Sequence, residues 1–274
     1  MKKILVSLVL LFCCNAFVSA QNKIWYFGAA NDRSTSYGLD FTDIANGSEP
    51  TQLNFISELD YYESVTVVSD NEGNVLYYSD GLQVYDGSNN LMVGAPNPLL
   101  GPSDDGSGTS VQGAYSLLLP GGDYKYLLFT SQGIDGDPNG LRVNEIDMSL
   151  PGNGTVSSPL GEMTSSDVQI MATGTEMMTA FGNCGTDSVW LITHSPSSWD
   201  FISVLVTSDG IQQTNTQSLI TNPQNAAGFI SAPGRGSMDI SADGTQLVMT
   251  GQSPIGTFLL DFNRHTGEVS APVE

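Results

Sequence analysis

Four polar residues stand at matching distances ahead of a recurring glycine turn. Glu63 and Gln112 lie ten residues before Gly73 and Gly122, and Glu176 and Arg235 lie nine before Gly185 and Gly244. Each precedes a run rich in apolar or β-branched residues, so each is expected to open a strand. Carboxylate, carboxamide and guanidinium groups gathered at one concave mouth are suited to ligand recognition. The same positions also suit plain strand-end hydrogen bonding. Glu63 and Glu176 are in addition the residue types of a glycoside hydrolase, where carboxylate separation sets the stereochemical course. Spacing along the chain leaves that separation open.

A second group is Asp135-Gly136-Asp137-Pro138-Asn139-Gly140, with oxygen ligands at alternate positions ahead of a glycine. Calcium takes six to eight hard oxygens, and such a loop opens in this way, so Asp135, Asp137 and Asn139 are candidate calcium ligands. The twelfth position of that pattern, which needs a carboxylate, holds Ile146, with Glu145 and Asp147 on either side. An acidic turn between two strands explains the segment as well. His194 and His265 are the two histidines, and neither has a paired metal-ligand spacing. Ser195 follows His194 directly, whereas the groups of a catalytic triad meet in space from separate loops. No cofactor other than calcium is implied.

The elements that must carry these residues are strands. Val65-Thr66-Val67-Val68, the turn from Ser69 to Asn74, and Val75-Leu76-Tyr77-Tyr78 make a hairpin of β-branched and aromatic residues. Gln83-Val84-Tyr85 and Leu91-Met92-Val93 follow it. The phrase recurs from Ala114, with strands expected to Leu119, at Tyr124 to Thr130, at Leu141 to Met148 and near Val156. It recurs again from Met177 and from Ser237, and Lys23 to Gly28 with Tyr37 to Phe41 supply strands of an earlier unit. The marker glycines are 49, 63 and 59 residues apart, which fits blades with variable outer loops better than a uniform solenoid. The expectation is an all-β chain, a β-propeller of four-stranded antiparallel blades, with about four to five blades present and the ring incomplete.

Lys2 and Lys3, the apolar run from Ile4 to Phe12 and the small residues before Gln21 form a secretory signal peptide over residues 1–20. The run is too short to span a bilayer. Residues 21–274 are then the propeller, expected to be truncated at its C-terminal end. Loss of the signal removes Lys2 and Lys3 and none of the 29 acidic residues, making the chain more acidic than its full-length net charge of −21. Such a chain repels phosphate backbones and anionic membranes, which disfavours nucleic acid and membrane partners. Surplus acidity also serves solubility. Of the three cysteines only Cys184 survives processing, so no intramolecular disulfide forms and stability rests on the core.

Ile24-Trp25-Tyr26-Phe27-Gly28, Gly38-Leu39-Asp40-Phe41, Glu63 through Asp70 with Gly73-Asn74, and Tyr77-Tyr78-Ser79-Asp80-Gly81 together resemble a known family. Gln112 ahead of Leu117-Leu118-Leu119-Pro120, then Gly140-Leu141-Arg142, Asp147-Met148, and Trp190 with His194 extend the likeness over nearly all of the mature chain. The chain resembles the N-terminal propeller-like region of large secreted Bacteroidetes proteins that carry PKD-type modules and a gliding-motility-associated sorting domain. Phe181-Gly182-Asn183 and Gly236-Ser237-Met238 depart from that pattern, which is His-Ala-Asn and Tyr-Leu-Lys at these places. The resemblance implies a cell-surface or released protein, sent through type IX secretion machinery acting on a C-terminal domain that these residues do not include.

Export, repeated blades and the lack of catalytic motifs lead to the expectation of a surface binding or adhesion module, not membrane-embedded, with a protein or glycan ligand. The alternative is an extracellular polysaccharide hydrolase or lyase with its site at the channel mouth.

Overall fold

The computed structural model describes residues 23–27, 37–44, 48–54, 58–59, 64–101, 110–131, 140–182, 187–195, 198–219, 234–251 and 256–270. The signal segment, Glu63, Asp135, Asp137, Asn139 and Cys184 lie outside them. Among the described residues there is no helix, and so none long and apolar enough to cross a membrane.

Five antiparallel sheets form a five-bladed β-propeller. Blade 1 is β1 (Ile24–Phe27), β2 (Tyr37–Asp40) and β3 (Thr51–Asn54). Blade 2 is β4 (Thr66–Ser69), β5 (Val75–Ser79) and β6 (Val84–Asp86). Blade 3 is β7 (Ala114–Leu118), β8 (Lys125–Ser131), β9 (Leu141–Asp147) and β10 (Glu162–Met171). Blade 4 is β11 (Met178–Gly182), β12 (Ser188–His194), β13 (Asp200–Thr207) and β14 (Gly210–Ser218). Blade 5 is β15 (Gly236–Ile240), β16 (Gln246–Gly251), β17 (Gly256–Asn263) and β18 (Glu268–Ser270).

Two details differ from the pattern read in the sequence. Blades 1 and 2 have three described strands instead of four; Leu91 and Val93 make only isolated bridges, to Tyr85 and to Glu162 of the next blade. The strand expected near Val156 is a turn, with Val156 88% exposed, and the outer strand of blade 3 is β10 instead. A lone valine among Gly, Asn, Ser and Pro cannot bury a sheet face, whereas Glu162–Met171 pairs with β9 along its length despite register shifts.

Turn chemistry sets the hairpins. In the first, Asp70 Oδ1 accepts the amides of Glu72 and Asn74 at 3.0 and 2.8 Å, and Gly73 takes φ +88°. That left-handed conformation costs an L side chain about 1–2 kcal/mol, which is why glycine belongs there. In the blade 3 hairpin the left-handed residue is Gly121, one before the marker Gly122.

Alternate residues of each strand face opposite neighbours, and the junctions between consecutive blades 1 to 5 are buried apolar layers. Tyr26, Val67 and Tyr78 join blades 1 and 2, and Val68, Tyr77, Leu128 and Ile146 join 2 and 3. Phe129, Leu141, Met178 and Val204 join 3 and 4, and Phe181, Trp190, Met238 and Leu260 join 4 and 5. Among the described residues no such cluster joins blade 5 to blade 1. Trp25, Phe27 and Tyr37 on blade 1 and Leu259 on blade 5 are each about half exposed.

Candidate functional site

The first strands of the blades are neighbours: β1 lies against β4, β4 against β7, and β11 against β15. Their entry points are stitched together. Ala114 N donates to Ser64 Oγ at 2.9 Å, Gln112 N to Glu176 O at 3.0 Å, and Glu176 N to Gly234 O at 3.1 Å. Gln112, Glu176 and Arg235 thus stand at the same end of the inner strands β7, β11 and β15. Glu176 is 3% exposed, whereas Arg235 is half-buried.

Gln112 is committed to backbone. Its Oε1 accepts Met238 N at 2.9 Å and Met178 N at 3.3 Å, and its Nε2 donates to Met238 O at 3.1 Å. A carboxamide has two acceptor sites and two donor hydrogens, so one Nε2 hydrogen remains for anything else.

Below this staple is a cavity of about 330 Å³ lined by Gln112, Tyr115, Thr179, Ser237, Met238, Asp239, Val248 and Thr250. Three of these arise from one repeated position. Ala114, Met178 and Met238 each pack back onto the preceding blade, and the residue after each faces the other way: Tyr115, Thr179 and Asp239. The corresponding residue of blade 2, Val68, is buried in the junction with blade 3.

Thr179 Oγ1 donates to Asp239 Oδ1 at 3.4 Å, and Ile240 N donates to the same oxygen at 2.8 Å. Ser237 Oγ and Thr250 Oγ1 are 3.0 Å apart across the β15–β16 pair. Burial pushes the Tyr115 phenol above its ordinary pKa; the Asp239 charge adds to this, and a backbone hydrogen bond from Ala180 works the other way. Tyr115 is therefore a neutral hydroxyl at physiological pH, beside a carboxylate.

A smaller cavity of about 270 Å³, lined by Tyr124, Asp123, Lys125, Asp147 and Ser208 among others, lies at the β7–β8 turn. Among the described residues no three His, Cys, Asp or Glu side chains group as a metal site. His194, which closes β12, is fully buried beside Trp199 and Phe201 and does not line either cavity.

No protein-family model, curated protein or solved structure matches this chain.

Tyr115, Thr179 and Asp239 were not singled out in the sequence. The signal was present: each follows, by one residue, a position buried against the preceding blade. Reading it required knowing which face of each strand points into the channel.

Proposed function

We propose that this chain is an exported binding module, delivered to the cell surface or released, that holds a segment of a protein or glycan partner in the channel cavity. The observation that carries the reading is that cavity: six polar side chains from three blades converge on a concave space with Val248 as an apolar wall. Convergent polar groups in a concave space are the default basis for a ligand site. Export is supported by the signal pattern of residues 1–20. The resemblance to Bacteroidetes surface proteins supports delivery by secretion machinery acting on a separate C-terminal domain. Among the described residues Asp239 is the one carboxylate lining the cavity, whereas glycoside hydrolysis uses two, which favours recognition.

The test is a binding screen of the exported protein against a glycan array and immobilised matrix proteins, alongside a Thr179→Val, Tyr115→Phe double variant. Binding to one class, weakened about tenfold or more in the variant, is expected from loss of two hydrogen bonds of about 0.5–1.5 kcal/mol each. A blank screen, or a variant that binds as well as the parent, contradicts the proposal. Turnover of a polysaccharide that Glu63→Gln abolishes would put the hydrolase reading in its place.

A further inference from the structure

The lining of the channel cavity is unbalanced in charge and in hydrogen-bond type. Asp239 contributes a carboxylate, and Thr179, Ser237, Thr250 and Tyr115 contribute hydroxyl oxygens. Among the described residues neither lysine nor arginine lines it. Gln112 has one amide hydrogen left, its other three bonding sites being held by Met178 and Met238. The Thr179 hydroxyl hydrogen is directed to Asp239, and one hydroxyl hydrogen is taken up between Ser237 and Thr250. Among the described lining residues acceptors therefore outnumber donors, and the one formal charge is negative.

Three ligand types meet this lining differently. An anion would face Asp239 with no compensating cation. A neutral sugar presents donors and acceptors in similar number and would leave the carboxylate charge unmatched. An ammonium or guanidinium group has donors only. It would pair with Asp239 and take the free lone pairs of the hydroxyl oxygens. Its alkyl stem has an apolar wall in Val248. A net charge of −21 on the chain draws a basic partner toward the surface before contact.

Resting on the channel reading above, we propose that the cavity takes the cationic tip of a lysine or arginine side chain projecting from a protein partner. Asp239 is the charge partner, Thr179 and Tyr115 fix the position of the tip, and Val248 holds the stem.

The experiment is titration of the exported protein, followed by NMR or calorimetry, with Nα-acetyl-lysine amide, Nα-acetyl-arginine amide, Nα,Nε-diacetyl-lysine amide, n-butylammonium and methyl glucoside. The first two and n-butylammonium are expected to bind, and the diacetylated probe and methyl glucoside are expected to fail. Affinity should fall as salt rises. Asp239→Asn should weaken the cationic probes about tenfold or more, through loss of a charged hydrogen bond. Asp209→Asn, which removes the same charge at an exposed turn, should leave affinity unchanged. Should n-butylammonium bind as tightly as Nα-acetyl-lysine amide, the tip and stem alone carry recognition, as proposed. Binding of methyl glucoside without the cations overturns this inference and leaves the channel reading standing. Failure of every probe together with a blank partner screen overturns both, and equal losses in Asp239→Asn and Asp209→Asn overturn the assignment to the cavity.

Discussion

Gln112 and Met238 are 126 residues apart and joined by a reciprocal pair of hydrogen bonds: the carboxamide oxygen accepts the Met238 amide, and the carboxamide nitrogen donates to its carbonyl. The glutamine side chain thus pairs with β15 much as a neighbouring strand would. Because Met178 N also donates to Gln112, one side chain ties the inner strands of blades 3, 4 and 5.

Gln112→Leu should therefore destabilise the propeller without touching its apolar layers. It orphans the amides of Met178 and Met238, each at a cost of about 1–3 kcal/mol if water cannot replace the bond. A total of about 2–6 kcal/mol corresponds to a melting temperature lower by about 4–24 °C for a chain of this size. Thermal denaturation reads this directly, and a variant that melts with the parent would show that the staple is dispensable.

The sequence was most informative where local chemistry decides the outcome. Short β-branched runs broken by Gly, Asn and Asp could only be hairpins, and their recurrence gave blades because each sheet needs a covering neighbour. It was less informative where tertiary context decides. Val156 is as good a strand former as Val168, but the latter lies in a segment that β9 pairs with and the former does not. Gln112 was visible as a polar residue at a strand entry. That both ends of its carboxamide would be taken by backbone from two other blades depends on how closely the inner strands approach, which spacing alone does not encode. Asp239 sat unmarked in a strand, since an exposed carboxylate is unremarkable until its neighbours across the channel are known.

Gly267 and Gly210 separate two costs of replacing glycine. Both have positive φ, +70° and +89°. A Cβ on Gly267 would lie 2.5 Å from Trp190 Cδ2, whereas one on Gly210 meets nothing within 4 Å. Gly210→Ala should cost the backbone term alone, about 1–2 kcal/mol. Gly267→Ala should cost more, about 3–5 kcal/mol, because Trp190 belongs to the layer between blades 4 and 5 and cannot withdraw without opening it. Denaturant melts of the two variants give the comparison. Equal losses would mean that the indole has room to move.

Blade 1 should be the least stable part of the propeller. Its strands are four residues long, three of the four residues of β3 are exposed, and one face carries the half-exposed Trp25, Phe27 and Tyr37. Blade 4 is covered on both sides by buried layers. Amides in β1–β3 are accordingly expected to exchange with deuterium at least about 100-fold faster than those in β12 and β13, since local opening needs less buried surface to be exposed. Uniform protection across the blades would contradict this ordering.

His194 should set the acid sensitivity of the fold. Its ring is fully buried at the end of β12, with the Phe201 ring 5.0 Å and the Trp199 ring 5.9 Å away. Neither ring nitrogen has a hydrogen-bond partner among the described residues. Burial pushes the imidazole down to about 4, and the nearby Asp200 charge opposes this only in part. An unfolded histidine titrates near 6.5, so between about pH 6.5 and pH 4 the unfolded chain holds a proton that the folded chain does not. Stability is therefore retained above pH 6.5 and lost as pH falls toward 4. Hydrogen bonds from Ser198 and Ser218 hold the Asp200 carboxyl below its ordinary range, and those from Ser241 and Thr245 do the same for Asp243. Depressed carboxyl values act in the same sense but below about pH 4, outside this window. The parent should lose about 2 kcal/mol between pH 7 and pH 5 through His194, and His194→Phe, which keeps a planar ring in the aromatic box, should remove most of that loss. Urea melts of both proteins at the two pH values measure it. An unchanged pH dependence in His194→Phe would mean that another group takes up the proton.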